Sequence, residues 1–206
     1  PTLEFLATVA IADSLLKAAK TEILGHTITA YVALSKGDRA GVSKAAELIL
    51  SKDPKNLLAM IMHARVAAAN GDLDSVNKYI QQVLAIDPGY YSALEMDYEF
   101  NRIEPLAGQA RDRISAALTR DPENISLLSL QARVLFEQKK FDDVIAMLTS
   151  VKTAIEKKPN LFWHLLINSY AEKKQGKNAL ETALAWSQSQ PQNLAAQFSY
   201  ITQLME

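Results

Sequence analysis

Apolar and small residues recur along the chain at spacings of four and three, the pattern of one buried stripe on an α-helix. The stripes come in pairs, and each pair ends shortly before a proline of a regular series. Pro54, Pro88 and Pro122 are 34 residues apart, and Pro159 and Pro191 continue the series at intervals of 37 and 32. A period of about 34 residues predicts stacked helix–turn–helix units.

The second helix of each unit shows the repeat most clearly. Counted back from each proline, the positions 12, 8 and 5 residues earlier carry small or apolar side chains. The sets are Val42/Ala46/Ile49, Val76/Ile80/Val83, Ala110/Ile114/Ala117, Val144/Leu148/Val151 (with three residues inserted before Pro159) and Ala179/Ala183/Trp186. The first helices carry a parallel series, whose middle position is alanine in three of the five units: Ala30, Ala64 and Ala132.

These stripes predict an all-α chain. We expect helices near residues 22–35, 39–51, 56–69, 73–85, 90–103, 106–119, 124–138, 141–156, 160–174, 177–189 and 193–205, with a further helix at 3–19 as a cap. Gly37 and Gly71, each followed by aspartate, predict the turns inside two units. The predicted N-caps of later helices are Asn56, Asn124, Asn160 and Asn193.

Composition and charge exclude several classes of function. The chain has 206 residues, 49% of them hydrophobic, and a net charge of −1 from 22 basic and 23 acidic residues that are mixed along the sequence. Nucleic-acid affinity comes mainly from concentrated lysine and arginine, so we expect no nucleic-acid partner. Cysteine is absent, which excludes disulfides and thiolate chemistry. The longest apolar run, residues 5–16, is too short to span a bilayer, so no membrane insertion is expected.

The fifth unit carries the fullest motif. Trp163, Leu166 and Tyr170 stand at the first-helix spacing of the tetratricopeptide repeat (TPR) family, and Ala179, Ala183 and Pro191 follow at the family's later positions. The repeats together therefore resemble that family over residues 22–193. The resemblance implies a right-handed superhelical solenoid of about five units with flanking helices. We expect one domain over 1–206, cut from a longer protein, with an N-terminal helix at 3–19, repeats at 22–56, 57–90, 91–124, 125–159 and 160–193, and a C-terminal helix at 194–206.

The resemblance also implies that the first helices line a concave groove that binds a protein or peptide. The candidate groove residues share the outward stripe of those helices or lie near it, and they are Tyr31, Arg65, Glu95, Glu99, Arg102, Arg133, Phe136, His164 and Asn168. They lack the paired lysine and asparagine of the chaperone-binding subset, so a chaperone-tail adaptor is not expected. The alanine-rich units are also similar to bacterial envelope TPR lipoproteins linked to exopolysaccharide and protein sorting.

Candidate catalytic and metal sites are not supported by the residue pattern. His26, His63 and His164 lie on three different first helices, whereas a metal site needs three or four converging ligands. Asp142 and Asp143 open a helix, where negative charge is stabilised by the exposed amides. We therefore expect no catalytic residue, no metal and no cofactor, and this chain is not expected to be an enzyme. For Glu95 and Glu99, both a ligand-contacting strip and a solvated ion-pair face stay open.

The sequence thus predicts a protein-interaction scaffold whose groove binds a segment of another protein. One alternative is a structural role, in which the solenoid self-associates, within a bacterial envelope or exopolysaccharide-export system; an exposed apolar end helix at 3–19 or 193–205 favours it. A second alternative is an RNA-binding helical repeat, against which the balanced charge argues. The compartment stays open between the bacterial envelope or periplasm and the cytoplasm.

Overall fold

The computed structural model describes residues 3–17, 21–103, 105–152 and 157–205, and over these ranges the chain consists of α-helices with no strand. The helices are α1 Leu3–Leu15, α2 Glu22–Ser35, α3 Arg39–Lys52, α4 Leu57–Ala69, α5 Leu73–Ile86, α6 Tyr91–Phe100, α7 Leu106–Arg120, α8 Ile125–Glu137, α9 Phe141–Thr149, α10 Asn160–Glu172, α11 Gly176–Ser189 and α12 Leu194–Met205. The all-α prediction is confirmed.

Most helix ends agree with the sequence-based boundaries to within two residues. The predicted helices 3–19 and 90–103 end early, at Leu15 and Phe100, and α9 is the main exception. It ends at Thr149, and residues 150–152 are not helical; residues 153–156 of the predicted helix 141–156 lie outside the described residues. The hydroxyl of Thr149 donates to the carbonyl of Ile145 at 2.6 Å, and that of Ser150 donates to Met147 at 2.7 Å. These hydroxyls satisfy carbonyls of the last turn of α9.

Asparagine and aspartate caps begin many of the helices. The side chain of Asn56 accepts the Ala59 N–H at 3.1 Å, and Asn124 and Asn193 accept N–H groups in the same way at the starts of α8 and α12. The prediction for Asn160 is wrong, because Pro159 occupies the N-cap position and Asn160 is the first helical residue. The Asn160 side chain instead accepts a hydrogen bond from Asn193 at 2.7 Å, and so ties two helix starts together.

Four turns between the two helices of a repeat contain a residue in the left-handed conformation, which is glycine in two of them and lysine in the other two. Gly37 and Gly71 have φ angles of 70° and 74°, as the glycine signals predicted. In the later turns the same conformation is adopted by Lys139 and Lys174, at 60° and 57°. A residue with a Cβ carries a conformational cost of about 1–2 kcal/mol there, which glycine avoids.

We expect Gly37→Ala to lower the free energy of unfolding by about 1 kcal/mol, because a Cβ at this φ is strained although nothing lies within 4 Å of it. Lys139→Gly should raise the free energy of unfolding by up to about 1 kcal/mol, as the strain is released. Urea titration measures both changes. Gly176→Ala is the matched control, because Gly176 also has open space but lies at a helix start, and no loss is expected there.

The chain divides into two compact units, residues 1–102 and residues 103–206. The division falls between the two helices of the third repeat, and the single continuous domain stays a prediction. The first unit has a core cluster built on α2–α4, with Ala46 and Ile49 at its centre. The second unit has a core cluster built on α8–α12, with Phe162, Trp163 and Trp186. The second-helix stripes are buried as predicted, with Val151 half-buried.

The first helix of the third repeat and the residue after it bury two polar side chains, Asp97 and Asn101. Asp97 on α6 is fully buried, and its carboxyl oxygen accepts a hydrogen bond from the Asn101 amide at 2.8 Å. The same amide donates to the side-chain oxygen of Asn77 on α5 at 3.2 Å. The departure of this repeat from the apolar pattern is therefore compensated by a hydrogen-bonded group that links α5 to α6.

Candidate functional site

Three first helices of unit 1 supply the polar and aromatic residues of the candidate surface. Tyr31 on α2 is 52% exposed, and Arg65 on α4 is exposed as well. Both act electrostatically on Tyr90, which immediately precedes α6. Partial burial raises the pKa of Tyr90, Tyr31 and Asp87 add to that shift, and the Arg65 guanidinium opposes it. Tyr31 and Arg65 therefore both lie within electrostatic range of Tyr90.

Tyr90 is a residue that the sequence-based prediction missed. It occupies the N-cap position of α6, and the equivalent positions in the neighbouring repeats are Asn56 and Asn124. Both asparagines accept N–H groups of their helices, whereas Tyr90 makes no side-chain capping hydrogen bond. The helix α6 therefore begins without the side-chain cap that Asn56 and Asn124 supply to α4 and α8.

The two glutamates on α6, Glu95 and Glu99, lie in different environments. Glu95 is half-buried, and its carboxylate accepts the Tyr91 hydroxyl at 2.8 Å, one turn away on the same helix. Glu99 is exposed. Arg102 lies just beyond α6 with its guanidinium carbon 5.0 Å from the centre of the Tyr98 ring, a cation–π distance. Of these three residues, Glu99 and Arg102 are exposed to solvent.

A small pocket adjoins Arg65 in the same unit. Its volume is about 190 Å³, and its lining comes from the end of α2, the following turn, the start of α3 and the second half of α4: Leu34, Gly37, Asp38, Arg39, Val42, Arg65, Val66 and Ala69. The Arg39 guanidinium donates to the Asn70 side chain at 3.1 Å and is held at the rim. Apolar side chains and two guanidinium groups thus share one concave site.

The candidate residues of unit 2 are more engaged in contacts within their own repeats. Arg133 is paired with Glu137 on α8 at 3.1 Å. Phe136 is half-buried, and its ring meets that of Phe141 edge-on, with ring centres 5.2 Å apart. His164 meets the Trp186 ring edge-on at 4.9 Å, and Asn168 is exposed. Each of the two aromatic contacts joins the first helix of a repeat to the second helix of the same repeat.

No family model matches the chain, and no curated protein matches it in sequence. Solved structures do match. A thermophilic TPR protein from Thermus thermophilus superposes with a TM-score of 0.65 at 16% identity, over 86% of this chain and 96% of that one. A TPR protein from Parabacteroides merdae superposes with a TM-score of 0.69 at 11% identity, over 98% of this chain and 78% of that one. The chain has the tetratricopeptide-repeat fold.

A third similar structure is YrrB, described as a TPR protein with an unusual peptide-binding site. Its TM-score is 0.51 at 12% identity, over 91% of this chain and 96% of that one. The resemblance inferred from Trp163 and the proline series is therefore confirmed at the level of the TPR fold. In this fold the candidate residues of both units lie on first helices or directly beside them.

The histidines of the TPR chain occupy separate environments. His63 on α4 is buried, stacks on Tyr79 with ring centres 5.1 Å apart, and has its Nδ1 atom 3.5 Å from the Ser43 hydroxyl. Within the described residues, no three histidine, aspartate or glutamate side chains are grouped as metal ligands. None of the described helices combines the length and the apolar character needed to cross a bilayer.

We expect the stability of the TPR chain to fall as the pH is lowered from 7.5 to about 5.5. Burial lowers the pKa of His63, and the Glu47 carboxylate opposes that shift in part. Because the unfolded state then binds a proton more readily than the folded state, stability is greatest above the ordinary histidine pKa of about 6.5 and is lost below it. Partial burial lowers the pKa of His164 in the same direction.

Urea titrations at the two pH values measure the free energy of unfolding, and His63→Gln should reduce the amount of it that is lost at the lower pH. The carboxyl of Asp72, whose pKa is lowered by its hydrogen bonds to Ser75, titrates below this range and does not interfere. An unchanged pH dependence in His63→Gln would show that the buried histidine is not responsible.

Proposed function

We propose that this chain is a protein-interaction scaffold that binds an extended segment of a partner protein along its first helices. The observation that carries the proposal is the exposed Arg65, which lines a largely apolar pocket, while Tyr31 is exposed on the first helix α2. Aromatic residues and arginine are the types that most often dominate binding energy at protein interfaces. YrrB, which shares the fold, is described as having a peptide-binding site, and this supports a peptide ligand here.

The proposed contact surface consists, within each unit, of residues on the first helices or directly beside them. Its members are the exposed or half-buried polar and aromatic residues Tyr31, Arg65, Glu95, Glu99, Arg102, Arg133, Phe136, His164 and Asn168, with Tyr90 added from the structure. Glu95, Arg133, Phe136 and His164 already contact residues of their own repeats, so the largest contributions are expected from Tyr31 and Arg65.

Selection of random peptides displayed on phage against the immobilised chain tests this proposal. Selected peptides should lose at least about tenfold in affinity on Arg65→Ala or Tyr31→Ala, and the loss at Arg65 should grow as the salt concentration falls. Lys78→Ala is the control, because Lys78 is an exposed residue of a second helix. Peptides that bind both variants as tightly as the parent would place the binding surface elsewhere.

Self-association is a second candidate function, favoured by α12. This helix exposes a row of apolar side chains, each between 50% and 77% exposed: Leu194, Phe198, Ile201, Leu204 and Met205. An exposed apolar row of this kind is typical of an interaction surface. A place in a bacterial envelope or exopolysaccharide-export system belongs to this second proposal and rests on the similarity of the alanine-rich repeats.

Sedimentation analysis decides between a monomer and a self-associated chain. If α12 mediates self-association, the parent should sediment as a dimer or larger at micromolar concentration, and Phe198→Glu with Ile201→Glu should make it monomeric. Thr202→Glu serves as the control, because Thr202 is exposed on the same helix but is polar. A monomeric parent would remove this candidate.

A further inference from the structure

The pocket between α2, α3 and α4 has the size of one side chain. Its volume of about 190 Å³ is smaller than the range of roughly 300–1,000 Å³ that is usual for small-molecule and cofactor sites. A cavity of about 150 Å³ lined by aliphatic groups is enough to hold a benzene-sized guest. Leu34, Val42, Val66 and Ala69 supply the apolar part of the lining. One aliphatic side chain of a ligand therefore fits the available space.

The charge at this pocket is positive. Arg39 and Arg65 both line it, and neither has an ion-pair partner among the described residues. The acidic residue of the lining, Asp38, directs its carboxylate to the Gly41 N–H at 2.9 Å as the cap of α3. Two exposed guanidinium groups beside an apolar cavity are complementary to carboxylates, which they bind in a bidentate way.

The two arginines are set apart by the geometry of α4. Arg39 is held by Asn70, which follows α4 by one residue, whereas Arg65 lies five residues earlier along the chain. Five residues of helix correspond to about 7.5 Å. The two guanidinium groups thus reach the pocket from different elements, and two carboxylates of a ligand can bind one each.

We propose that this pocket binds an internal acidic segment of a partner protein, with one aliphatic side chain in the cavity and flanking carboxylates on Arg39 and Arg65. The inference rests on the proposed function and specifies its ligand. The Asn70 hydrogen bond orders Arg39 before the ligand arrives, which reduces the entropy lost on binding.

The test is a titration of the ¹⁵N-labelled chain with an N-acetylated, C-amidated peptide that has Glu-Leu-Glu at its centre. Backbone amide shifts should change at the pocket lining and at Asn70. Replacing the peptide's leucine by glycine, or both glutamates by glutamine, should weaken binding by about tenfold or more. A peptide with one central leucine and a free C-terminal carboxylate, but no acidic side chain, should bind no better than the glutamine peptide.

Variants of the chain supply the second arm. Arg39→Ala and Arg65→Ala should each weaken binding of the Glu-Leu-Glu peptide by about tenfold. Ala69→Phe should block it, because Ala69 is an exposed member of the lining and a larger side chain fills the cavity without entering the core. Lys78→Ala is the matched control, because it removes an exposed cation outside the pocket and should leave affinity unchanged.

The outcomes separate this inference from the proposed function. If the Glu-Leu-Glu peptide binds equally well to the parent and to Ala69→Phe, or if only the free-carboxylate peptide binds, the inference is overturned. If the Glu-Leu-Glu peptide does not bind while phage-selected peptides depend on Arg65 and Tyr31, the inference fails and the proposed function stands. If no peptide of either kind depends on these residues, both fail.

Discussion

Trp186→Ala is expected to lower the free energy of unfolding of the second unit by about 3–5 kcal/mol, the largest effect of any single substitution considered. Trp186 is fully buried and is the largest such side chain in the described part of the chain. Its ring stacks on Trp163 with ring centres 6.1 Å apart and meets His164 edge-on. Its indole N–H donates to the Gln190 side chain at 3.1 Å, so the substitution removes both packing and a hydrogen bond.

Hydrogen exchange measures where this loss is felt. Because stability in repeat arrays depends on nearest neighbours, deprotection should concentrate in residues 160–205 and be small in residues 22–86. Trp163→Phe is a useful comparison, because the Trp163 indole N–H has no hydrogen-bond partner among the described residues and only part of a ring is removed. Equal deprotection of both regions in Trp186→Ala would contradict a separate core in the second unit.

Asn101→Ala is expected to lower the free energy of unfolding by about 1–3 kcal/mol, which is the second largest expected effect. The Asn101 amide donates to the fully buried carboxyl of Asp97, and the substitution leaves that buried group with one hydrogen bond fewer. The same change breaks the link to Asn77 on α5. The loss therefore exceeds that of an ordinary surface asparagine, which is usually within about 0.5 kcal/mol.

Urea unfolding of Asn101→Ala and of Asn77→Ala distinguishes the two bonds. The Asn77 bond is longer, at 3.2 Å, and Asn77 is half-buried, so water can replace part of what is lost there. Asn77→Ala should therefore cost less than Asn101→Ala. A cost for Asn101→Ala as small as that of Asn77→Ala would show that Asp97 gains little from this partner.

The fold could be predicted from the sequence because local signals and the period agree. The prolines mark unit lengths, the apolar stripes at Val42 and its equivalents mark the buried faces, and the Asn56-type caps mark helix starts. The errors occur where side chains decide between alternatives of similar energy. Asn160 pairs with Asn193 instead of capping α10, and the hydroxyls of Thr149 and Ser150 bond to the carbonyls of the last turn of α9.

The candidate site could be predicted only in part. Tyr31 and Arg65 were expected from their places on first helices, because helical periodicity specifies which face a residue occupies. Arg39 was not, since it begins a second helix and reaches the site through Asn70, 31 positions away in sequence. Periodicity gives no information on such a contact, nor on the left-handed turn at Gly37 that contributes to the pocket lining.

The buried polar group of the third repeat has a consequence for how the repeats recognise one another. The units are alike in length and rich in alanine, so a first helix could pack against the wrong second helix at little energetic cost. At the position of Asn77, the other second helices have Ser43, Arg111, Ile145 and Leu180. None of these carries an amide that can accept from Asn101 as Asn77 does. The side chains at the equivalent positions of α7, α9 and α11 offer Asn101 no acceptor, so Asp97 and Asn101 give the packing of α6 on α5 a polar specificity that apolar burial alone does not supply.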